Sequence, residues 1–137
     1  MGWFDKAASA AEASNPVVLL VEDEEELQQL GARLLAEVGT RVVLAVNGCD
    51  AVAKAAAHQP ELILLDIVMP VMDGLTALEQ LKRDPRTKDI PVIMLSSRPK
   101  DAERATTLGA LGFLPKPYDV DQFAERVRRM LGLPSPD

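Results

Sequence analysis

Residues 61–66 constrain this chain more than any other stretch, because an apolar run leads directly into a carboxylate. The residues from Leu62 to Leu65 do not alternate with polar residues, and the run ends at Asp66. Such a run is typical of a strand covered on both faces, as in a parallel sheet. Open α/β sheets place their chemistry at the carboxyl ends of the strands. Asp66 is therefore the first candidate for a functional residue.

Four further apolar segments predict strands, and apolar residues recur at helical spacing between them. The strand segments are 17–21, 41–46, 90–95 and 111–114. In the segment after the first strand, Leu27, Leu30, Leu34 and Val38 lie on one helical face, and Gly39 is a typical helix end. Five strands alternating with five helices predict a doubly wound α/β domain, with a parallel sheet, right-handed connections and helices on both faces. We expect an N-terminal extension over 1–15, one domain over 16–134 and a tail over 135–137.

Composition excludes several classes of protein. The chain has 137 residues, is 47% hydrophobic and carries a net charge of −6. This favours one globular domain over a disordered chain, and its acidity argues against direct binding of nucleic acid. No apolar run approaches the roughly 20 residues that span a bilayer, so we expect no membrane insertion. The single cysteine, Cys49, cannot form an internal disulfide, which suits a cytoplasmic location.

Polar residues follow four of the five predicted strands. Glu22 and Asp23 follow the first strand, Asp66 the third, Ser96 the fourth and Lys116 the fifth. If the strands are neighbours, three carboxylates converge, and their pKa values rise unless a cation lies among them. Oxygen ligands favour Mg²⁺ over zinc. A metal beside a lysine and a hydroxyl suits phosphoryl chemistry, with a carboxylate as a possible nucleophile.

Together these motifs resemble the receiver domain of bacterial response regulators. The resemblance rests on Val-Glu-Asp at 21–23, Asp66 with Met-Pro at 69–70 and Asp-Gly at 73–74, Ser-Ser at 96–97, and Lys-Pro-Tyr at 116–118. It covers roughly residues 16–133, nearly the whole chain. It implies a flavodoxin-like five-stranded parallel sheet of order 2-1-3-4-5.

The resemblance also implies a role for each residue at the strand ends. Asp66 accepts a phosphoryl group from a histidine kinase or phosphotransfer protein. Mg²⁺ is bound by Asp23, Asp66 and the backbone carbonyl of Val68, and Glu22 acts on the metal through water. Ser96 and Lys116 hold the phosphoryl oxygens, and Ser96 and Phe113 form the switch. Lys116 and Pro117 are joined by a cis peptide bond. The implied protein is a phosphoacceptor rather than an enzyme acting on other substrates.

Some positions differ from the usual family pattern. Pro115 removes a backbone donor, which predicts a short edge strand. Family members that dimerise through helix four, strand five and helix five usually carry acids just before the switch aromatic, where this chain has Leu111 and Gly112. We therefore expect a monomer or weak dimer that presents this face to a downstream protein. With no effector domain after Leu133, we expect a single-domain regulator of the chemotaxis type; a receiver from a larger regulator or hybrid kinase is the alternative.

Three other functions fit parts of the pattern. A phosphatase of the haloacid dehalogenase type also uses an aspartate and Mg²⁺, but needs a second acid two residues later, where this chain has Val68. A docking module that works without phosphorylation would not need the full set of acceptor residues. A flavin-binding protein of the same fold would need a phosphate loop, which nothing here resembles.

Overall fold

The computed structural model describes residues 15–134. Within this range the chain alternates five strands with five helices. The strands are β1 (Val17–Val21), β2 (Arg41–Ala45), β3 (Leu62–Asp66), β4 (Val92–Ser96) and β5 (Gly112–Pro115). The helices are α1 (Glu25–Val38), α2 (Gly48–His58), α3 (Gly74–Arg83), α4 (Asp101–Thr107) and α5 (Val120–Leu131).

The strands form one parallel sheet in the order β2-β1-β3-β4-β5. This confirms the predicted flavodoxin-like topology. Asp66 pairs in register with Leu95, and Ser96 pairs with Pro115. The ends of the three strands β3, β4 and β5 therefore lie side by side at the carboxyl edge of the sheet.

Two apolar cores lie on opposite faces of the sheet, because successive strand residues point to opposite sides. Leu19, Ile63 and Met94 pack on the face covered by α2, α3 and α4. Leu20 and Leu64 pack on the face covered by α1 and α5. Every residue of β3 is buried, as the unbroken apolar run predicted. Asp66 is thus fixed at the end of a strand that is held from both sides.

The helix boundaries follow the capping signals of the sequence. Gly39 ends α1 with a φ of 98°, which glycine adopts without steric cost. The side chains of Asn47, Asp73 and Asp119 accept hydrogen bonds from backbone N–H groups in the first turns of α2, α3 and α5. These caps fix where the loops at the carboxyl edge of the sheet end.

A few features differ from or extend the expectations. Helix α4 is short, with seven residues. Strand β5 lies at the sheet edge and has four residues, as Pro115 predicted. In the described part of the chain no helix is both long and apolar enough to cross a membrane. The predicted extension, except residue 15, and the predicted tail at 135–137 lie outside the described residues.

Candidate phosphoacceptor site

Three carboxylates converge at the carboxyl edge of the sheet. One oxygen each from Glu22, Asp23 and Asp66 lies within 4.8 Å of the others. Glu22 and Asp66 are buried, whereas Asp23 is exposed. Carboxylate oxygens at this spacing, without histidine or cysteine in the group, suit Mg²⁺. The predicted acidic cluster is therefore present in the fold.

Lys116 bridges two of these acids. Its Nζ atom lies 2.7 Å from Oε1 of Glu22 and 3.1 Å from Oδ2 of Asp66. Lys116 reaches the cluster because its backbone N–H donates to the carbonyl of Ser96, which continues the ladder past the end of β5. The Lys116–Pro117 peptide bond is cis, as predicted. One ammonium group thus partly neutralises two buried carboxylates.

Burial and neighbouring charges shift the pKa values of Asp66 and Lys116. Burial, with the negative charge of Glu22 in addition, raises the pKa of Asp66 to about 7, although Lys116 opposes the change. Burial lowers the pKa of Lys116, but its hydrogen bond to Glu22 and the charge of Asp66 outweigh that effect and raise it overall. A divalent cation bound beside Asp66 would oppose the rise in the pKa of this residue and favour its carboxylate form.

Sequence reasoning missed one member of the site, Tyr118. Its hydroxyl donates to Oε1 of Glu22 over 3.3 Å, and its ring packs against Phe123 with centroids 5.0 Å apart. Burial, with the charge of Glu22, raises the pKa of the Tyr118 phenol, so the hydroxyl stays protonated. The only sequence signal was a tyrosine two residues after Lys116, because nothing local connects it to Glu22, 96 residues away.

Two glycines hold the loop after Asp66 in place. A Cβ atom at Gly74 would overlap the backbone carbonyl of Asp66, and one at Gly48 would lie 2.6 Å from the carbonyl oxygen of Met72. Instead, Gly74 N–H donates to Ile67 O, and Gly48 N–H donates to Met72 O. In the same loop Val71 has a φ of 71°. The loop is packed tightly enough that side chains at these two glycines would displace it.

An open groove of about 480 Å³ leads to Asp66. Its lining includes Asp66, Val68, Arg98 and Lys116. Val68 is 53% exposed, and Arg98 donates through Nε to Asp101 over 2.8 Å. The Arg98 guanidinium group is thus paired with Asp101.

The two predicted switch residues lie on adjacent strands. Ser96 is buried at the end of β4, and its Oγ accepts a hydrogen bond of 2.9 Å from the backbone N–H of Arg98. Phe113, on β5, is half-buried and packs against the core that α2, α3 and α4 cover. Phe113 thus occupies an intermediate position, neither fully in solvent nor fully in the core.

Comparison with known families shows which family the chain belongs to. The model of the response regulator receiver domain matches residues 18–128. The chain belongs to the response regulator receiver family. Its sheet order and the acids at the carboxyl edge agree with that assignment.

The receiver is also similar to parts of longer regulators. It is 38% identical over 118 residues to the DNA-binding regulator RpaA of Synechocystis, covering 85% of this chain and 49% of RpaA. It is 40% identical over 116 residues to the response regulator PleD of Caulobacter vibrioides, covering 82% of this chain and 25% of PleD. The chain thus spans half or less of the length of these two relatives.

Solved receiver structures superpose on most of the chain. The chemotaxis protein CheY4 of Vibrio cholerae matches with a TM-score of 0.80 and 28% identity, covering 85% of this chain and 99% of that one. The receiver of the sensor histidine kinase PA1611 from Pseudomonas aeruginosa also matches with a TM-score of 0.80 and 28% identity, over 87% and 99% of the two chains. The PA1611 structure has a magnesium ion in its active site cleft.

Proposed function

We propose that this receiver accepts a phosphoryl group on Asp66 from a phosphohistidine of a histidine kinase or phosphotransfer protein. An oxygen of the Asp66 carboxylate attacks the phosphorus, the P–N bond to the histidine breaks, and its electron pair leaves with the imidazole nitrogen. The observation that carries the proposal is the contact between Lys116 Nζ and Asp66 Oδ2 at 3.1 Å. It places a cation where phosphoryl oxygens would need neutralising.

The Mg²⁺ site belongs to the same proposal. Asp23, Asp66 and the backbone carbonyl of Val68 would bind the ion directly, and Glu22 would act through water. The outer role of Glu22 is supported by its own hydrogen bonds, since Oε1 accepts from Lys116 and Tyr118 and Oε2 accepts from Glu24 N–H. When bound, Mg²⁺ would keep Asp66 ionised and neutralise the incoming phosphoryl group.

The remaining parts of the function follow from this step. Phosphorylation draws the Ser96 hydroxyl toward the phosphoryl group and lets Phe113 turn further inward. These movements alter the face of α4, β5 and α5 for a downstream protein. We expect a cytoplasmic phosphoacceptor without activity toward other substrates, as a monomer or weak dimer.

The decisive experiment is phosphorylation by acetyl phosphate or phosphoramidate, followed by intact mass spectrometry. We expect one phosphoryl group on the wild type with Mg²⁺, and none with EDTA or in Asp66→Asn. Asp73→Asn is the matched control, because it changes another aspartate of the same region and asparagine caps α3 equally well. Undiminished labelling of Asp66→Asn would refute the proposal.

Calorimetric titration with Mg²⁺ tests the ligand set. Asp23→Ala should weaken binding strongly, because it removes a direct ligand, and Glu22→Ala should weaken it less. The reverse order would contradict the assigned roles. Hydrolysis of p-nitrophenyl phosphate separates the receiver from a phosphatase, since the receiver should show none above background.

A further inference from the structure

Glu22 is a fully buried carboxylate that accepts hydrogen bonds from a small set of donors. Its Oε1 accepts from Lys116 at 2.7 Å and from Tyr118 at 3.3 Å, and its Oε2 accepts from Glu24 N–H at 3.3 Å. Lys116 provides the shortest of these contacts, and it also contacts Asp66 at 3.1 Å. Lys116 is therefore shared between the acid that is proposed to be phosphorylated and an acid that is not.

If Asp66 is phosphorylated as proposed above, the phosphoryl group and Glu22 compete for the same Lys116 ammonium group. A phosphoryl group on Asp66 brings new anionic oxygens, which attract the Lys116 ammonium away from Glu22. Glu22 is closed off from bulk solvent, so a donor that replaces Lys116 must come from the protein or from a water held by the bound metal. A buried carboxylate that loses a charged donor is costly, so the buried acid opposes the movement of Lys116.

Tyr118 lies where its hydroxyl can replace Lys116 as the donor to Glu22. Its hydroxyl points at Oε1, the same oxygen that Lys116 contacts, but at the longer distance of 3.3 Å. Its ring is held against Phe123 with an interplanar angle of 44°. We propose that Tyr118 is a positioning residue that takes over the buried carboxylate of Glu22 when Lys116 turns to the phosphoryl group. The hydroxyl closes on Oε1 as the ammonium withdraws, which leaves Glu22 with a strong donor in both states.

The test uses beryllofluoride with Mg²⁺, because beryllofluoride occupies the phosphoryl position on a carboxylate without covalent transfer. Tyr118→Phe keeps the ring and removes only the hydroxyl. We expect its affinity for beryllofluoride to fall about tenfold, the size of one hydrogen bond to a charged group. Without beryllofluoride, Lys116 still contacts Glu22, so the loss of Mg²⁺ affinity should be much smaller than the loss of beryllofluoride affinity. A general loss of structure would lower both affinities alike.

Tyr118 also provides a direct signal, because it is the single tyrosine of the chain. A phenol that donates more strongly to a carboxylate absorbs at longer wavelength. Addition of beryllofluoride to the wild type should therefore shift the tyrosine absorption band to the red. In Glu22→Gln the shift should disappear, and adding Tyr118→Phe to that variant should cost no further affinity, since the buried charge is gone.

Phe123→Leu is the control for packing, because it disturbs the ring contact and leaves the hydroxyl in place. It should lower the melting temperature without the tenfold loss of beryllofluoride affinity. If the wild type binds beryllofluoride and Tyr118→Phe binds it equally well, with no red shift in the wild type, the role of Tyr118 is refuted and the acceptor function stands. If the wild type itself does not bind beryllofluoride, the acceptor function fails and this inference fails with it.

Discussion

Gly74 packs directly against the backbone carbonyl of Asp66, leaving no room for a Cβ atom between them. This contact joins the first residue of α3 to the last residue of β3. The position of Asp66 is thereby coupled to the start of the following helix.

The first prediction follows from that contact. Gly74→Ala would normally favour a helix by up to about 1 kcal/mol, but here the added methyl group meets backbone that cannot yield. We expect a net loss of about 1–3 kcal/mol in the free energy of unfolding, measured by urea denaturation, together with slower phosphorylation. Gly31→Ala is the control, because its Cβ would meet the end of the Leu20 side chain instead of backbone. Equal losses in the two variants would argue against a special role for the Gly74 contact.

The second prediction concerns pH. The pKa of Asp66 is raised to about 7 from 3.8, so the folded state holds a proton that the unfolded chain has already released. Without Mg²⁺, the contribution of this group to stability is therefore greatest below about pH 4 and is lost as the pH rises through about 7. Relative to Asp66→Asn, the metal-free wild type should lose on the order of 1–2 kcal/mol between pH 4 and pH 8, after allowance for solvent screening.

Urea denaturation of both proteins in EDTA at several pH values measures this difference. Mg²⁺ should restore the stability of the wild type at pH 8, with little effect on Asp66→Asn. A difference between the two proteins that does not vary with pH would show that Asp66 is already ionised in the metal-free protein at low pH.

The third prediction concerns the lifetime of the phosphorylated protein. Hydrolysis needs a water molecule in line with the phosphorus, and Val68 and Arg98 both line the groove through which it must pass. Val68 cannot orient water, and Arg98 can shield the phosphoryl group once it leaves Asp101. We expect faster dephosphorylation in the double variant Val68→Asn with Arg98→Glu, and slower dephosphorylation in Asp101→Asn, which releases Arg98. Decay followed by intact mass spectrometry provides the rates. A double variant no faster than wild type would refute the argument.

The fourth prediction concerns Phe113. Its half-buried ring leaves further apolar surface to bury, and full burial of an aromatic ring is worth roughly 1.5–3 kcal/mol. This is enough to bias two conformations without locking one of them. With 4-fluorophenylalanine in place of phenylalanine, the ¹⁹F resonance of residue 113 should move on phosphorylation, whereas that of Phe123 should move less. The Phe113→Leu variant lacks the resonance of residue 113 and therefore assigns that signal.

Phe113→Ala should leave Asp66 labelling nearly intact but uncouple it from binding of the downstream protein. A fixed core residue would behave differently, since its truncation would cost several kcal/mol of stability and its resonance would not respond to phosphorylation. A thermal melt of Phe113→Ala beside the labelling assay distinguishes these outcomes.

The fifth prediction concerns Val71. Its φ of 71° lies in the left-handed region, which costs a β-branched residue roughly 1–2 kcal/mol, and its side chain is 82% exposed. Val71→Asn should therefore raise the free energy of unfolding by about 1 kcal/mol, because asparagine tolerates this conformation. Val46→Asn changes another exposed valine, which is not among the residues with positive φ, and should not stabilise. An unchanged or lower stability of Val71→Asn would mean that the valine side chain makes compensating contacts.

Local patterns in the sequence predicted much of the fold and of the acidic cluster. The apolar run before Asp66 predicted a strand buried on both faces, because only a sheet covered by helices can bury every side chain of such a run. Asn47, Asp73 and Asp119 stand where α2, α3 and α5 begin, and their side chains accept hydrogen bonds from the first turns of these helices. The convergence of Glu22, Asp23 and Asp66 followed from the same logic, because parallel strands end at one edge.

Only the tertiary structure shows which groups these side chains contact. Nothing in the sequence indicates that Tyr118 donates to Glu22, that Asp101 holds Arg98, or that Gly74 abuts the Asp66 carbonyl. Local propensity acts over a few residues, whereas these contacts depend on the packing of separate loops to within an ångström. The sequence therefore predicted which residue types lie at the edge of the sheet. It did not predict that Lys116 is shared between two acids, because that contact depends on how the strands lie side by side.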